Sequence, residues 1–224
     1  MSQLTFDLPH RPAMGRADFF VSDANAAAVQ GIEAWADWPF AKAILVGPEG
    51  AGKTHLAHVW AALTGAEIVA ATDLAARAEP LRDAVAVAVE DASEIAGQSA
   101  NEEALFHLHN ALSARAAPLL LTAREPAAHW HLGLPDLASR MAQAGLLRMG
   151  PPDDALLTAV MVKLSQDRQL AVRPTTLAYA AARVERSFAA AARFIEALDA
   201  LAMAEQRAPT RDLARIVLSG LSRA

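Results

Sequence analysis

Short apolar runs alternate with stretches of helical spacing through the first two thirds of the chain. The runs cover residues 43–46, 67–70, 85–89, 119–122 and 146–149. Each is continuous rather than alternating, the pattern of a strand buried on both faces. Between them the spacing predicts helices over 53–64, 72–79, 101–115 and 136–143. Ser22-Asp23-Ala24-Asn25 offers capping residues for an earlier helix running through Val29, Ile32 and Trp35. Short buried strands separated by helices predict a doubly wound α/β core, a parallel five-stranded sheet covered on both faces.

The strand pattern stops at Gly150-Pro151-Pro152-Asp153-Asp154, where the prolines exclude helix. Beyond it the spacing predicts only helices, over 153–169, 174–184, 187–205 and 210–222. Residues 1–16 contain Pro9 and Pro12 and show no sustained periodicity, so they read as an exposed tail. The expected organisation is a tail over 1–16, an α/β core over 17–152 and a small all-helical domain over 153–224.

Composition narrows the class. A chain of 224 residues with 54% apolar content can fill a sizeable core. Charges interrupt every apolar stretch well short of the roughly 18 residues a membrane span needs, so no membrane partner is expected. The first residues carry no basic region followed by an apolar core, and there is no cysteine, which together fit a cytoplasmic location. Net charge is −5 with lysines and arginines scattered, which argues against a dedicated duplex-DNA binder.

The chemistry concentrates after the first apolar run. Gly47-Pro48-Glu49-Gly50-Ala51-Gly52-Lys53-Thr54 is a complete G-x-x-x-x-G-K-[ST] phosphate-binding loop, and His55 follows it at the start of a predicted helix. Backbone N–H groups of such a loop point at phosphates, the lysine supplies charge to the β/γ-phosphates, and the threonine hydroxyl faces Mg²⁺. Pro48, Glu49, Gly50, Ala51, Gly52, Lys53, Thr54 and His55 are therefore expected around an ADP or ATP. The run over 85–89 ends in Glu90-Asp91, carboxylates placed to hold a metal and its water, with Thr54 and Glu90 as the metal side of the site. Glutamate stands first where aspartate is usual, which predicts weak intrinsic hydrolysis. Thr122 ends another buried run at the edge where ligands of a parallel sheet sit, and can orient water. The pairs His107/His109 and His129/His131 lack metal-site spacing and read as solvated or capping residues, while Trp35, Trp38, Trp60 and Trp130 read as packing.

These motifs, followed by Leu134-Pro135-Asp136-Leu137-Ala138-Ser139-Arg140-Met141, stand in the order found in AAA+ ATPases, and residues 18 to 200 resemble the DnaA/Hda group of that family. The resemblance implies an AAA+ core with a helical lid, and places Phe20, Val21 and Asn25 beside adenine. It makes Arg140 an arginine finger offered to a nucleotide on another subunit, and puts a sensing arginine in the lid, filled here by Arg193 or Arg186. Gln3, Leu4, Phe6 and Leu8 are similar to peptides that dock on the DNA polymerase III sliding clamp. The implied partners are DnaA and that clamp, with a homo-oligomer possible. The implied role is regulation of replication initiation by stimulating hydrolysis on DnaA. The chain ends about 25 residues past the lid helix that would carry the sensor, so no helix-turn-helix reader of DNA is expected. A helicase-loader-type AAA+ ATPase is the alternative. A P-loop kinase is disfavoured by the helical C-terminal part and the Ser-Arg pair.

Overall fold

The computed structural model describes residues 19–221. Gln3, Leu4, Phe6 and Leu8 lie outside the described residues. Five strands form one sheet: β1 (Lys42–Val46), β2 (Glu67–Ala70), β3 (Val87–Glu90), β4 (Leu119–Ala123) and β5 (Gly145–Arg148). They are all parallel and lie in the order β2-β3-β4-β1-β5. The central pair β1 and β4 is in register from Lys42 opposite Leu119 to Val46 opposite Ala123.

Strand alternation explains how one sheet builds two cores. Ile44, Val46, Val87, Val89, Leu119 and Leu121 face α3 (Leu74–Leu81), α4 (Ser99–Ala114) and α5 (Pro135–Ala142). Their neighbours Ala43, Leu45, Ala86, Ala88 and Leu120 face α1 (Ala26–Glu33) and α2 (Lys53–Thr64). Fully burying one such leucine contributes roughly 1.5–3 kcal/mol, so helices on both faces are the stable solution. Trp60 and Trp130 are fully buried, and Trp38 stacks on Trp60 with ring centroids 5.4 Å apart.

Four further helices follow: α6 (Asp154–Asp167), α7 (Pro174–Ala181), α8 (Phe188–Glu205) and α9 (Arg211–Leu221). They enclose a core of their own around Leu157, Met161, Leu177, Phe194, Ile195, Leu198 and Leu213. Asp153 and Ser187 cap α6 and α8, accepting the N–H groups of Leu156 and Ala190. Among the described residues no helix is long and apolar enough to cross a membrane.

Element edges differ from expectation in small ways. Val85 lies outside β3 and is 66% exposed, because pairing with β4 begins only at Val87. Residues Ala71–Asp73 form a single 3-10 turn before α3, and Trp35 lies in another after α1. β5 begins at Gly145, where Pro39 packs so closely that a Cβ would lie 3.2 Å from its Cδ.

Candidate nucleotide site

The loop from Gly47 to Lys53 leaves the carboxyl end of β1 between its two neighbouring strands. Gly47 N–H donates to Ala123 O at 3.2 Å, and Met149 N–H donates to Val46 O at 2.8 Å. Gly50 and Gly52 take φ of +72° and +95°, left-handed values that favour glycine. Gly52 is the residue before α2, so the loop delivers the backbone directly to a helix N-terminus.

Lys53 is 8% exposed and its Nζ donates to Gly47 O at 2.8 Å and Pro48 O at 2.9 Å. The ammonium is therefore folded back over its own loop with one of its three donors left for a phosphate. Burial lowers its pKa below the ordinary lysine value, against the pull of Asp91 and Glu49 and with the push of Arg124. Thr54 is exposed in the first turn of α2, as are Pro48 and Glu49 at the rim, while Ala51 is buried.

The acidic pair ends β3. Glu90 is half-buried, and its Oε1 is hidden from solvent without a hydrogen-bond partner. A buried carboxylate oxygen of this kind is costly unless something completes it, and the water shell of a phosphate-bound Mg²⁺ fits that need. Asp91 is exposed in a left-handed conformation, φ 52°. Thr122 is 1% exposed, and its Oγ1 accepts Asp91 N–H at 3.0 Å, tying β4 to the turn after β3. Arg124, just past β4, pairs with Glu49 at 3.2 Å. Glu90, Asp91, Thr122 and Lys53 thus converge on one sheet edge.

On the flank, Asn25 is 2% exposed and acts as a clamp for its own loop. Its Nδ2 donates to Phe20 O at 2.9 Å and its Oδ1 accepts Ser22 N–H at 2.9 Å. Phe20 and Val21 are held exposed at 36% and 49%, available to a ring. Phe19 is buried and meets the His55 ring edge-on at 5.1 Å.

The lid touches the loop through the start of α8. Phe188 N–H donates to Gly50 O at 3.3 Å, a Cβ at Gly50 would collide with Ser187 Cβ, and one at Gly52 would lie 2.7 Å from Phe188 Cε2. The two arginines expected as sensors have other partners. Arg186 pairs with Asp154 at 3.0 Å and donates to Pro152 O at 3.3 Å, and Arg193 lies 3.7 Å from Glu185.

Arg140 sits elsewhere. It is exposed near the carboxyl end of α5, its guanidinium 5.3 Å from the Phe106 ring centroid. Its charge bears on Lys42 and His109, lowering both pKa values after the larger effect of burial. Lys42 opens β1, whereas the phosphate loop follows its last residue, roughly 13 Å further along the strand. Arg140 therefore lies at the opposite edge of the sheet from its own phosphate loop.

One histidine departs from expectation. His109 is 2% exposed rather than solvated, with Lys42 Nζ 2.8 Å from its Nε2. The position of His109 on the inward face of α4 carries the signal, but its partner lies 67 residues away. Glu102 was also missed. It is 2% exposed and accepts N–H bonds from Gly97, Gly133 and Leu134, which fix the entry to α5.

This architecture defines an AAA+ fold: a five-stranded parallel sheet with a phosphate loop, followed by a helical lid. No protein-family model matches the chain. Among solved structures the chain is similar to domain III of the Thermotoga maritima replication initiation protein DnaA. The TM-score is 0.80 at 16% identity, covering 95% of this chain and 98% of that one. It is also similar to DnaA bound to AMPPCP and single-stranded DNA, with a TM-score of 0.70, 16% identity and coverage of 88% and 69%. The Thermotoga maritima RuvB Holliday junction branch migration motor gives 0.66, 17%, 87% and 66%.

Proposed function

We propose that this protein is an adenine-nucleotide-binding AAA+ regulator of replication initiation, similar in role to Hda. It binds ADP or ATP at Gly47 to Thr54 with Phe20, Val21 and Asn25 beside the base. It offers Arg140 to the nucleotide of an ATP-bound DnaA. The observation that carries this reading is the separation of Arg140 from its own phosphate loop. An exposed guanidinium at the far edge of the sheet can serve a neighbour's phosphates and not its own.

Lys53 supplies the buried ammonium, Thr54 the hydroxyl and Glu90 the hidden carboxylate oxygen of a Mg²⁺-nucleotide site. A bound Mg²⁺ neutralises phosphate charge. Asp91 and Thr122 set the turn that holds the carboxylates at the loop. Glutamate in the first acidic position and a lid contact made by Phe188 support slow turnover in this chain itself, so its action is that of an activating partner. The Gln3, Leu4, Phe6 and Leu8 segment supports delivery by the sliding clamp, since a tail with a few apolar anchors suits transient docking. The AMPPCP-bound DnaA of similar fold supports adenine nucleotide as ligand.

The test is hydrolysis of DnaA-bound ATP with and without this chain and DNA-loaded clamp. Stimulation that needs both, and that Arg140→Ala removes without weakening clamp binding, is expected. No stimulation with all partners present would favour the helicase-loader alternative.

A further inference from the structure

The short turn before β1 exposes an aromatic ring on a constrained backbone. Phe40 is 70% exposed, and both it and Ala41 take φ of +54°, the left-handed region that side chains avoid. The turn is pinned on either side. Trp38 is buried, its Nε1 donating to Gly31 O at 2.7 Å, and Ala41 N–H donates to Trp38 O at 3.0 Å. Pro39 packs on Gly145 at the start of β5, and the next residue of that edge strand, Leu146, is 43% exposed. A backbone strained in this way persists only where its surroundings hold it, and here it presents a ring left mostly in solvent.

The same turn leads into two cations that lack a counter-charge. Lys42 is 3% exposed, with its Nζ 5.5 Å from the Phe40 ring centroid and 2.8 Å from His109 Nε2. Arg140 bears on it from α5 with charge of the same sign. Among the described residues no carboxylate forms an ion pair with either cation. A lysine this buried is ordinarily paired, so the face is best completed by an anion from outside. Resting on the reading of Arg140 above, we propose that Phe40 is the apolar anchor of the surface that carries Arg140 to its partner. The occupant is the nucleotide-bearing face of a second P-loop ATPase, whose phosphates meet the cationic side while an apolar hollow beside them takes the Phe40 ring. An aromatic anchor on a pinned turn adds affinity with little further ordering on binding. Docking and stimulation are then divided between two residues, Phe40 for holding and Arg140 for the rate.

The experiment follows hydrolysis of DnaA-bound ATP, with DNA-loaded clamp present, against rising concentrations of the full chain. Wild type is compared with Phe40→Asn, Phe40→Trp, Arg140→Ala and Met203→Gln. Asparagine tolerates left-handed backbone, so Phe40→Asn keeps the turn and removes the ring. It is expected to raise the half-saturating concentration about tenfold and leave the rate at saturation within about twofold of wild type. Phe40→Trp restores a ring and returns the concentration to the wild-type range. Met203 is 66% exposed in the lid, so Met203→Gln removes apolar surface elsewhere and shifts neither quantity. An unchanged half-saturating concentration in Phe40→Asn would overturn the docking face and leave the role of Arg140 standing. An equal shift in Met203→Gln, or a loss confined to the saturating rate, would overturn it too. A shift in Phe40→Asn alongside normal stimulation by Arg140→Ala would keep the docking face and remove the finger. If wild type gave no stimulation, both readings would fall together.

Discussion

Thr122 Oγ1 accepts the backbone N–H of Asp91 at 3.0 Å, so the ends of β4 and β3 are fastened to each other beside the phosphate loop. Asp91 is the left-handed residue immediately after Glu90, and its N–H has to be satisfied for the turn to persist. Thr122 is itself buried, 1% exposed.

Thr122→Val keeps the shape of the side chain and removes the acceptor. The orphaned N–H is expected to cost about 1–3 kcal/mol, read as a lower midpoint in urea unfolding with an unchanged slope. A midpoint equal to wild type would show that the bond contributes nothing to the turn.

Glu102 is held as a carboxylate. Burial alone would raise its pKa, but N–H bonds from Gly133, Gly97 and Leu134 outweigh burial and bring it below the ordinary 4.5. A depressed carboxylate stabilises the fold above its unfolded value, and that stability is lost as pH falls through the folded value. Glu102→Ala strands three donors at the entry to α5, with an expected loss of roughly 3 kcal/mol or more at neutral pH. The variant should also show a shallower loss of stability below pH 4.5 than wild type. Parallel acid profiles for the two proteins would contradict this role.

His109 titrates in the opposite chemical sense with a similar outcome in acid. Burial, Lys42 and Arg140 lower its pKa from 6.5, against a smaller opposing pull from its bond to Asn110, and Ser113 also lies against the ring. The unfolded chain therefore takes up the proton first, so stability declines as pH drops through 6.5. His109→Gln retains an acceptor for Lys42 and removes the titration. Its unfolding midpoint is expected to vary less than wild type between about pH 7.5 and 5.5. Identical slopes would place the acid sensitivity in other groups.

The sheet and the phosphate loop were legible because their signals are local. Val46 passes straight into Gly47-Pro48-Glu49-Gly50-Ala51-Gly52-Lys53-Thr54, and the continuous apolar runs of β1, β3 and β4 match strands covered on both faces, whereas the edge strands β2 and β5 are mostly exposed or half-buried despite similar runs, with Leu146 43% exposed. What escaped depends on partners distant in the chain. Glu102 sits within an ordinary helical pattern, yet its role comes from N–H groups 31 and 32 residues on. Lys42 and His109 are separated by 67 residues, and no periodicity links them. Phe188 reads as one more apolar helix residue until the loop glycines are seen beneath it. Val85 shows the converse, an apolar residue assigned to a strand by composition but left outside the ladder.

The central claim is that the loop from Gly47 to Thr54 holds an adenine nucleotide through Lys53. Calorimetric titration of Mg-ADP into the full chain tests it directly. Saturable uptake by wild type that Lys53→Ala abolishes, with the variant still folded by circular dichroism, is the predicted result. Equal uptake by wild type and Lys53→Ala, or none by either, would contradict it.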